Sequence, residues 1–161
     1  AKFSLKLNRD KTKVVMFNRY TFEIGINQES FDFLGFTFYL SKARKDGFTT
    51  IKVKTSKKTL RAKLANVKLW LQHNRFKGGL RAIWQEFCLK LKGHIVYFGV
   101  TNNSASVSKF LHSAQRLFFK WMNRRSQKRS FNWEQFMVFM KQYPPPPVKI
   151  YHQVYMILQK K

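Results

Sequence analysis

Residues 107–121, VSKFLHSAQRLFFKW, form the most regular pattern in this sequence. Their apolar side chains recur at intervals of three and four residues, which is the period of an amphipathic helix. At about 100° per residue, the basic side chains of this region fall within about one quadrant on the opposite side. These basic residues are Lys109, Arg116, Lys120 and Arg124. We therefore predict a helix with one buried face and one basic strip.

Three more helices are predicted around this one. The first begins after Ser56, a candidate N-cap, and carries apolar residues at intervals of four, three and four. The second spans about residues 80–98, with Gly99 as a candidate C-cap. It contains Gly93, which costs about 1 kcal/mol against Ala inside a helix and suggests close backbone packing. The third covers about residues 133–142, before four prolines that cannot continue a helix. The predicted core is Leu60, Leu64, Val67, Phe87, Leu91, Phe98, Phe110, Leu111, Ala114, Leu117 and Trp121.

Residues 1–54 have the composition of strands and turns. Short apolar or alternating runs occupy residues 13–17, 21–26 and 31–40. A hairpin is predicted at Asp46-Gly47, because Asp-Gly supplies the positive φ that such turns need, and its return strand is predicted at 48–53. The expected fold class is α+β, with a few strands followed by a bundle of three or four helices. The expected regions are strands at 1–54, helices at 55–142 and a Pro-rich tail at 143–161.

The net charge of the chain is far above what solubility requires. Its 161 residues include 32 Lys and Arg against 7 Asp and Glu, giving +25, of which +21 lies in residues 51–161. Such a charge opposes the compact state unless a polyanion neutralises it, so nucleic acid is the first partner to consider and an anionic membrane surface the second. The sequence contains no uninterrupted apolar run of about 18 residues, so it predicts no membrane-spanning helix. A single cysteine excludes a disulfide framework and a Cys-based zinc site.

Eleven basic residues are candidates for contact with a nucleic-acid backbone. Lys57, Lys58 and Arg61 lie where the free N–H groups of a helix start can meet a phosphate. Lys68 lies on the same polar side, and a dense basic cluster follows the helix of residues 107–121. Each set has a simpler interpretation, as a solvated charged face or a solvated loop. The candidates are Lys57, Lys58, Arg61, Lys68, Lys109, Arg116, Lys120, Arg124, Arg125, Lys128 and Arg129.

Aromatic and histidine side chains at helical spacing are expected in the core first. His94 lies on the apolar stripe of the second helix, so a hydrogen-bonded core histidine is the default expectation. Trp70, Trp84 or Tyr97 can stack on a base if its ring is exposed. Cys88 is expected to act as a small buried hydrophobe.

Four blocks of sequence, taken in order, resemble group II intron reverse transcriptases. Residues 5–13 (LKLNRDKTK) are similar to the block that follows the catalytic aspartates of that family, and residues 31–36 (FDFLGF) to the passage from palm to thumb. Residues 91–99 (LKGHIVYFG) resemble a thumb motif in which Trp is usual where His94 stands here. Residues 143–152 (YPPPPVKIYH) resemble the Pro-rich end of several members. The resemblance implies the end of a palm followed by the thumb, or maturase-specific domain X.

The same resemblance implies binding to structured RNA without catalysis. In this family the thumb region binds the intron RNA and helps it to reach its splicing-competent fold. The catalytic aspartates would precede residue 1, and the seven acidic residues include no adjacent pair. We therefore expect no catalytic residue, no metal site and no polymerase or nuclease activity in this chain alone. No cofactor is expected, with Mg²⁺ entering only through bound RNA or through a missing palm half.

The expected partner is structured RNA, in particular a group II intron, with no membrane partner and no small-molecule substrate. The expected location is the cytoplasm of a bacterium, or the matrix or stroma of an organelle. The main alternative is the C-terminal half of a split or truncated RNA-directed DNA polymerase, completed by a separate fingers–palm chain. Unpaired strands in residues 1–50 favour that alternative, because exposed strand edges invite a partner. An inert relic of a mobile genetic element is a third interpretation, and a generic basic ribosomal or DNA-binding protein is a fourth.

Overall fold

A computed structural model of the chain describes residue 12 and residues 14–26, 29–43, 47–125 and 131–153. Its elements in chain order are α1 (Arg19–Glu23), β1 (Phe31–Phe33), β2 (Phe36–Lys42), β3 (Thr49–Thr55), α2 (Lys57–Asn74), α3 (Leu80–Phe98), α4 (Ser104–Met122) and α5 (Trp133–Gln142). The strands form one antiparallel sheet in the order β1-β2-β3. The predicted α+β class is therefore confirmed at this level.

The described residues divide into two compact units. The N-terminal unit takes in the described residues up to Phe31 together with Phe38–Lys52. The helical unit takes in Asp32–Thr37 together with the described chain from Val53 onward. The helical unit contains α2 to α5 and nearly all of the buried apolar side chains.

The predicted strand at 21–26 is wrong, because this stretch overlaps the short helix α1. Asn18 has extended backbone angles, and its Oδ1 accepts hydrogen bonds from the N–H of Tyr20 at 3.0 Å and of Thr21 at 3.4 Å. This N-cap satisfies the free donors of a helix start and outweighs the alternating pattern. The strand predicted at 13–17 is also wrong over residues 14–17, which form no regular element; Lys13 lies outside the described residues.

The single strand predicted over 31–40 is interrupted by a turn. Leu34 and Gly35 both have positive φ, at 49° and 83°, so β1 and β2 are separate strands and the residues of 31–40 do not share one continuous face. The carbonyl of Gly35 accepts a hydrogen bond from the N–H of Ser56 at 2.9 Å, which joins this turn to the start of α2. The hairpin between β2 and β3 is confirmed, with the N–H of Ala43 donating to the carbonyl of Phe48 at 2.7 Å. Asp46 lies outside the described residues.

The four helices predicted after residue 55 are all present as α2 to α5. Ser56 is the N-cap of α2, and its Oγ accepts from the N–H of Thr59 at 3.2 Å. Gly99 is the C-cap of α3. A Cβ at Gly99 would lie 2.5 Å from the carbonyl oxygens of Ile95 and Lys149, so any larger residue would displace backbone. The close packing expected at Gly93 is wrong, because a Cβ there would meet no atom within 4 Å.

The core of the helical unit is largely aromatic. Of the predicted core residues, seven are buried: Phe87, Leu91, Phe98, Phe110, Leu111, Ala114 and Trp121. The other four pack against that core while partly exposed: Leu60, Leu64, Val67 and Leu117. Trp84 lies at the centre, with ring centroids of Phe118 at 4.8 Å and Phe136 at 6.0 Å in edge-to-face geometry. Its Nε1 donates to the carbonyl of Tyr143 at 2.9 Å, so the start of the Pro-rich segment is fixed to the core.

Helices α2 and α4 lie side by side and run in the same direction. At one end, the N-cap of α4, Asn103, accepts a 2.7 Å hydrogen bond from the N–H of Thr55, the residue before the N-cap of α2. At the other end, the guanidinium of Arg75, the C-cap of α2, lies 5.2 Å from the ring centroid of Trp121 in the last turn of α4. The two N-termini therefore lie at one end of the pair and the two C-termini at the other.

Candidate nucleic-acid interface

Helix α4 carries the predicted basic strip on its exposed side. Lys109, Arg116 and Lys120 are all exposed, while the opposite face holds seven buried residues from Val107 to Met122. No Asp or Glu occurs anywhere in α4. Because no acidic neighbour on the same helix can neutralise these cations, their charge is available to an anionic partner.

Helix α2 presents a second set of exposed cations. Lys57, Lys58, Arg61 and Lys68 are all exposed, and α2 also lacks Asp and Glu. Lys57 and Lys58 lie in the first turn, where they oppose the positive end of the helix dipole. Since α2 and α4 are parallel, the positive ends of both dipoles lie together with these two lysines. Two positive dipole ends and two lysines at this end of the helix pair favour an anion there.

Arg124 and Arg125 have partners within the protein. The guanidinium of Arg124 lies 5.2 Å from the ring centroid of Trp121, on which Arg75 also lies. Arg125 is partly buried, and its Nη2 donates to the carbonyl of Gly78 at 2.7 Å. These arginines lie at the C-terminal ends of α2 and α4, where cations complement the helix dipole. Their positions are explained by the fold without a ligand. Lys128 and Arg129 lie outside the described residues.

The carboxylates that accompany these cations in the helical unit are few. Among its described residues they are Asp32, Glu86 and Glu134, none of which lies on α2 or α4. Asp32 accepts a hydrogen bond from the Oγ1 of Thr37. The mixture of charges that is usual on a soluble surface is therefore lacking on α2 and α4.

His94 is buried as predicted, but its predicted hydrogen bonding is incomplete. Its ring stacks on that of Phe110 with centroids 3.5 Å apart, and its Nε2 is buried without a hydrogen-bond partner. Burial, and to a lesser extent the charge of Lys63, lowers the pKa of His94 from 6.5 to about 4. The imidazole is therefore neutral at pH 7. Burial likewise raises the pKa of Cys88 to about 11, and this side chain packs against the core while only partly buried, where a buried one was expected.

Two exposed cations were not among the predicted site residues. Lys63 on α2 and Lys90 on α3 are exposed, and the Nζ of Lys90 lies 5.1 Å from the ring centroid of Trp70. Tyr97, one of three aromatic residues considered for base stacking, has 53% of its surface exposed. Trp70 is partly exposed, whereas Trp84 is buried. Lys63 and Trp70 lie two helical turns apart on α2, and Lys90 and Tyr97 lie two turns apart on α3. Each pair therefore lies along one stripe of its helix.

No three His, Cys, Asp or Glu side chains in the described ranges are grouped as ligands of a metal ion. None of the helices in those ranges combines the length and apolar character needed to cross a membrane.

No protein-family model, curated protein or solved structure gives a significant match to this chain. The residues of the chain itself therefore carry the functional proposal.

Proposed function

We propose that this chain is an RNA-binding module of the maturase type, which binds a structured RNA such as a group II intron and has no catalytic centre of its own. In this proposal the strands correspond to the end of a reverse-transcriptase palm, and α2 to α5 correspond to its thumb. The observation that carries the proposal is the exposed, acid-free basic surface of α2 and α4, held in fixed register by Asn103. Such a protein would act where the intron is transcribed, in bacterial cytoplasm or inside an organelle.

The binding mechanism follows from the rigidity of the helix pair. Cations on a fixed scaffold can neutralise several phosphates at once, and each contact releases counterions from the RNA. Closely packed phosphates repel one another as an RNA compacts, so their neutralisation favours the compact RNA fold. Contacts of this kind read the shape and backbone of the RNA more than its base sequence. Catalysis of splicing would remain a property of the RNA.

The test removes three cations from α4 without touching the core. Lys109, Arg116 and Lys120 are replaced together by Ala, and Arg124 is left in place because its guanidinium lies on Trp121. Loss of three phosphate contacts should weaken binding to a folded group II intron RNA about tenfold or more and lower the slope of log K against log salt by roughly 2 to 3. The melting temperature should stay nearly unchanged, because exposed surface substitutions have small effects on stability.

A matched control removes the same charge elsewhere. The control replaces three exposed lysines outside the α2 and α4 strips, Lys77, Lys92 and Lys141, by Ala. It loses three positive charges, so its net charge equals that of the α4 triple variant. Heparin and an unstructured RNA of equal length serve as competitors. The proposal predicts that the protein binds the intron RNA about a hundredfold more tightly than either competitor. It also predicts that only the α4 variant loses affinity for the intron RNA. Equal losses in the two triple variants, or equal binding to intron and heparin, would leave only a non-specific charge effect and refute the proposal.

A second candidate function is the C-terminal part of a divided RNA-directed DNA polymerase. The observation that favours it is the apolar surface of the N-terminal unit, where Val14, Met16 and Tyr20 are each at least 80% exposed. Large exposed apolar groups are typical of surfaces that a partner covers. Co-purification with a separately expressed fingers–palm chain, with primer extension restored in the mixture, is expected from this candidate. Failure of the two chains to associate at micromolar concentration would reject it.

A further inference from the structure

A groove of about 530 Å³ lies between α2 and α3. Its walls are the stripes of side chains that the two helices turn toward each other, and Phe110 of α4 forms part of its floor. Its volume lies in the range of small-ligand sites, about 300–1,000 Å³. All of its lining residues belong to the helical unit.

The groove has flat aromatic walls in fixed positions. On the α2 side, Trp70 is held by stacking on Phe87, with centroids 6.2 Å apart. On the α3 side, the hydroxyl of Tyr97 donates to the carbonyl of Leu34 at 3.2 Å, so its ring is held although more than half exposed. The floor includes the stacked ring pair of His94 and Phe110. Aromatic faces of this kind bind the π-faces of nucleobases without strong sequence preference.

The rim of the groove is cationic. Lys63 from α2 and Lys90 from α3 line it from opposite sides, and Asn66 adds a neutral polar group. None of the described side chains that line it is acidic. An apolar floor with two cations at the rim complements a ligand that joins a flat ring to an anionic group.

Gly93 leaves space in the α3 wall. It lines the groove in the middle of a helix, where glycine is unfavourable. A Cβ at this position would meet no atom within 4 Å, so packing within the chain does not require glycine. A larger side chain would project into the groove.

We propose that this groove binds one unpaired nucleotide of an RNA, with the base against the ring of Tyr97 and the phosphate at Lys63. Trp70, which stacks on Phe87 ten residues before Tyr97 on α3, lies at the other end of the groove with the Nζ of Lys90 over its ring. This inference rests on the proposed function, because it names the part of a structured RNA that the helical unit takes up. A peptide side chain or a lipid tail would use the apolar floor but would leave the cation of Lys63 without an anionic partner. The neutral imidazole of His94 adds no charge beneath the base.

The experiment compares three RNA hairpins with the same paired stem. One is fully paired, one carries a single bulged 2-aminopurine nucleotide, and one carries an abasic nucleotide at the bulge. The abasic hairpin shares the flexibility of the bulge but lacks a base. The proposal predicts that the 2-aminopurine hairpin binds about tenfold more tightly than the other two, since a stacked base adds substantial affinity. Its fluorescence should be quenched on binding.

Two leucine variants test whether the groove is the site. Gly93→Leu fills the groove at a position with open space, and Ala82→Leu adds the same side chain at an exposed position of α3 outside the groove and outside the α2 and α4 basic surface. Gly93→Leu should lose the tenfold preference and the quenching while binding the paired hairpin as before. Ala82→Leu should keep both. Melting curves of the two variants establish that both are folded.

The other outcomes separate the groove proposal from the function proposal. Equal affinity for the bulged, abasic and paired hairpins overturns the groove proposal and leaves RNA binding intact. A preference that survives in Gly93→Leu also overturns it, because the base then binds elsewhere. If heparin displaces all three hairpins as readily as it displaces an unstructured RNA, the proposed function fails and the groove proposal fails with it.

Discussion

Replacement of Asn103 by Ala should be among the most destabilising single changes in this chain. Asn103 has no exposed surface, and its side chain joins the starts of α2 and α4. Its Oδ1 accepts from the N–H of Thr55 at 2.7 Å, and its Nδ2 donates to the Oγ1 of Thr55 at 2.9 Å and to the carbonyl of Phe98 at 2.8 Å. Alanine removes all of these bonds.

The size of the loss follows from what each partner retains. The carbonyl of Phe98 still accepts from the N–H of Val100 at 2.8 Å, so its loss is small. The N–H of Thr55 loses its acceptor, and a buried donor without a partner costs about 1–3 kcal/mol. With the weakened hydroxyl of Thr55 added, the free energy of unfolding should fall by about 2–4 kcal/mol. The melting temperature should fall by roughly 10 °C.

Urea unfolding followed by circular dichroism measures this change, and Asn66→Ala is the control. Asn66 is an exposed amide within α2, where Ala is the better helix former, so its replacement should change stability by less than about 1 kcal/mol and in the stabilising direction. Asn103→Asp provides a further comparison, since it keeps an acceptor for the Thr55 N–H but buries a charge. If Asn103→Ala were no less stable than Asn66→Ala, the assignment of Asn103 as the link between the two helices would be wrong.

Two further predictions concern α3. Gly93→Ala should raise the free energy of unfolding by about 0.5–1 kcal/mol, because helix propensity favours Ala and its Cβ has open space; a fall in the urea midpoint would show that the site is tighter than described. His94 should make stability fall as the pH is lowered from 6.5 toward 4, because the unfolded chain takes up a proton over that range before the folded protein does. His94→Phe should lose this part of the pH dependence, and an identical pH profile in the variant would exclude His94 as its source.

The helices were predictable from the sequence because their apolar residues repeat without interruption. Residues 107–121 specify one buried face, and α4 buries that face as expected. The N-terminal errors have local causes that hydrophobic alternation does not report. Asn18 starts a helix through its side chain, and Leu34 adopts a positive φ that is uncommon for a residue other than glycine. Neither choice is visible in a count of apolar positions.

The candidate site was predictable in its charges but not in their partners. The sequence places Arg116 and Arg124 on the same side of α4, yet only Arg124 lies on a tryptophan. The linking role of Asn103 depends on Thr55, which is 48 positions away, so no local pattern can indicate it. The groove was not predictable either, because its α2 and α3 walls meet only through tertiary packing.

The parallel arrangement of α2 and α4 separates two kinds of cation on this surface. At the C-terminal end, Arg75 and Arg124 lie at negative helix ends and over the ring of Trp121, both of which favour a cation within the folded chain itself. At the N-terminal end, Lys57 and Lys58 lie beside two positive helix ends and raise the free energy of the isolated protein. A bound polyanion relieves that repulsion. The protein should therefore gain stability when RNA binds, and the gain should depend more on the lysines at the N-terminal end than on the arginines at the C-terminal end.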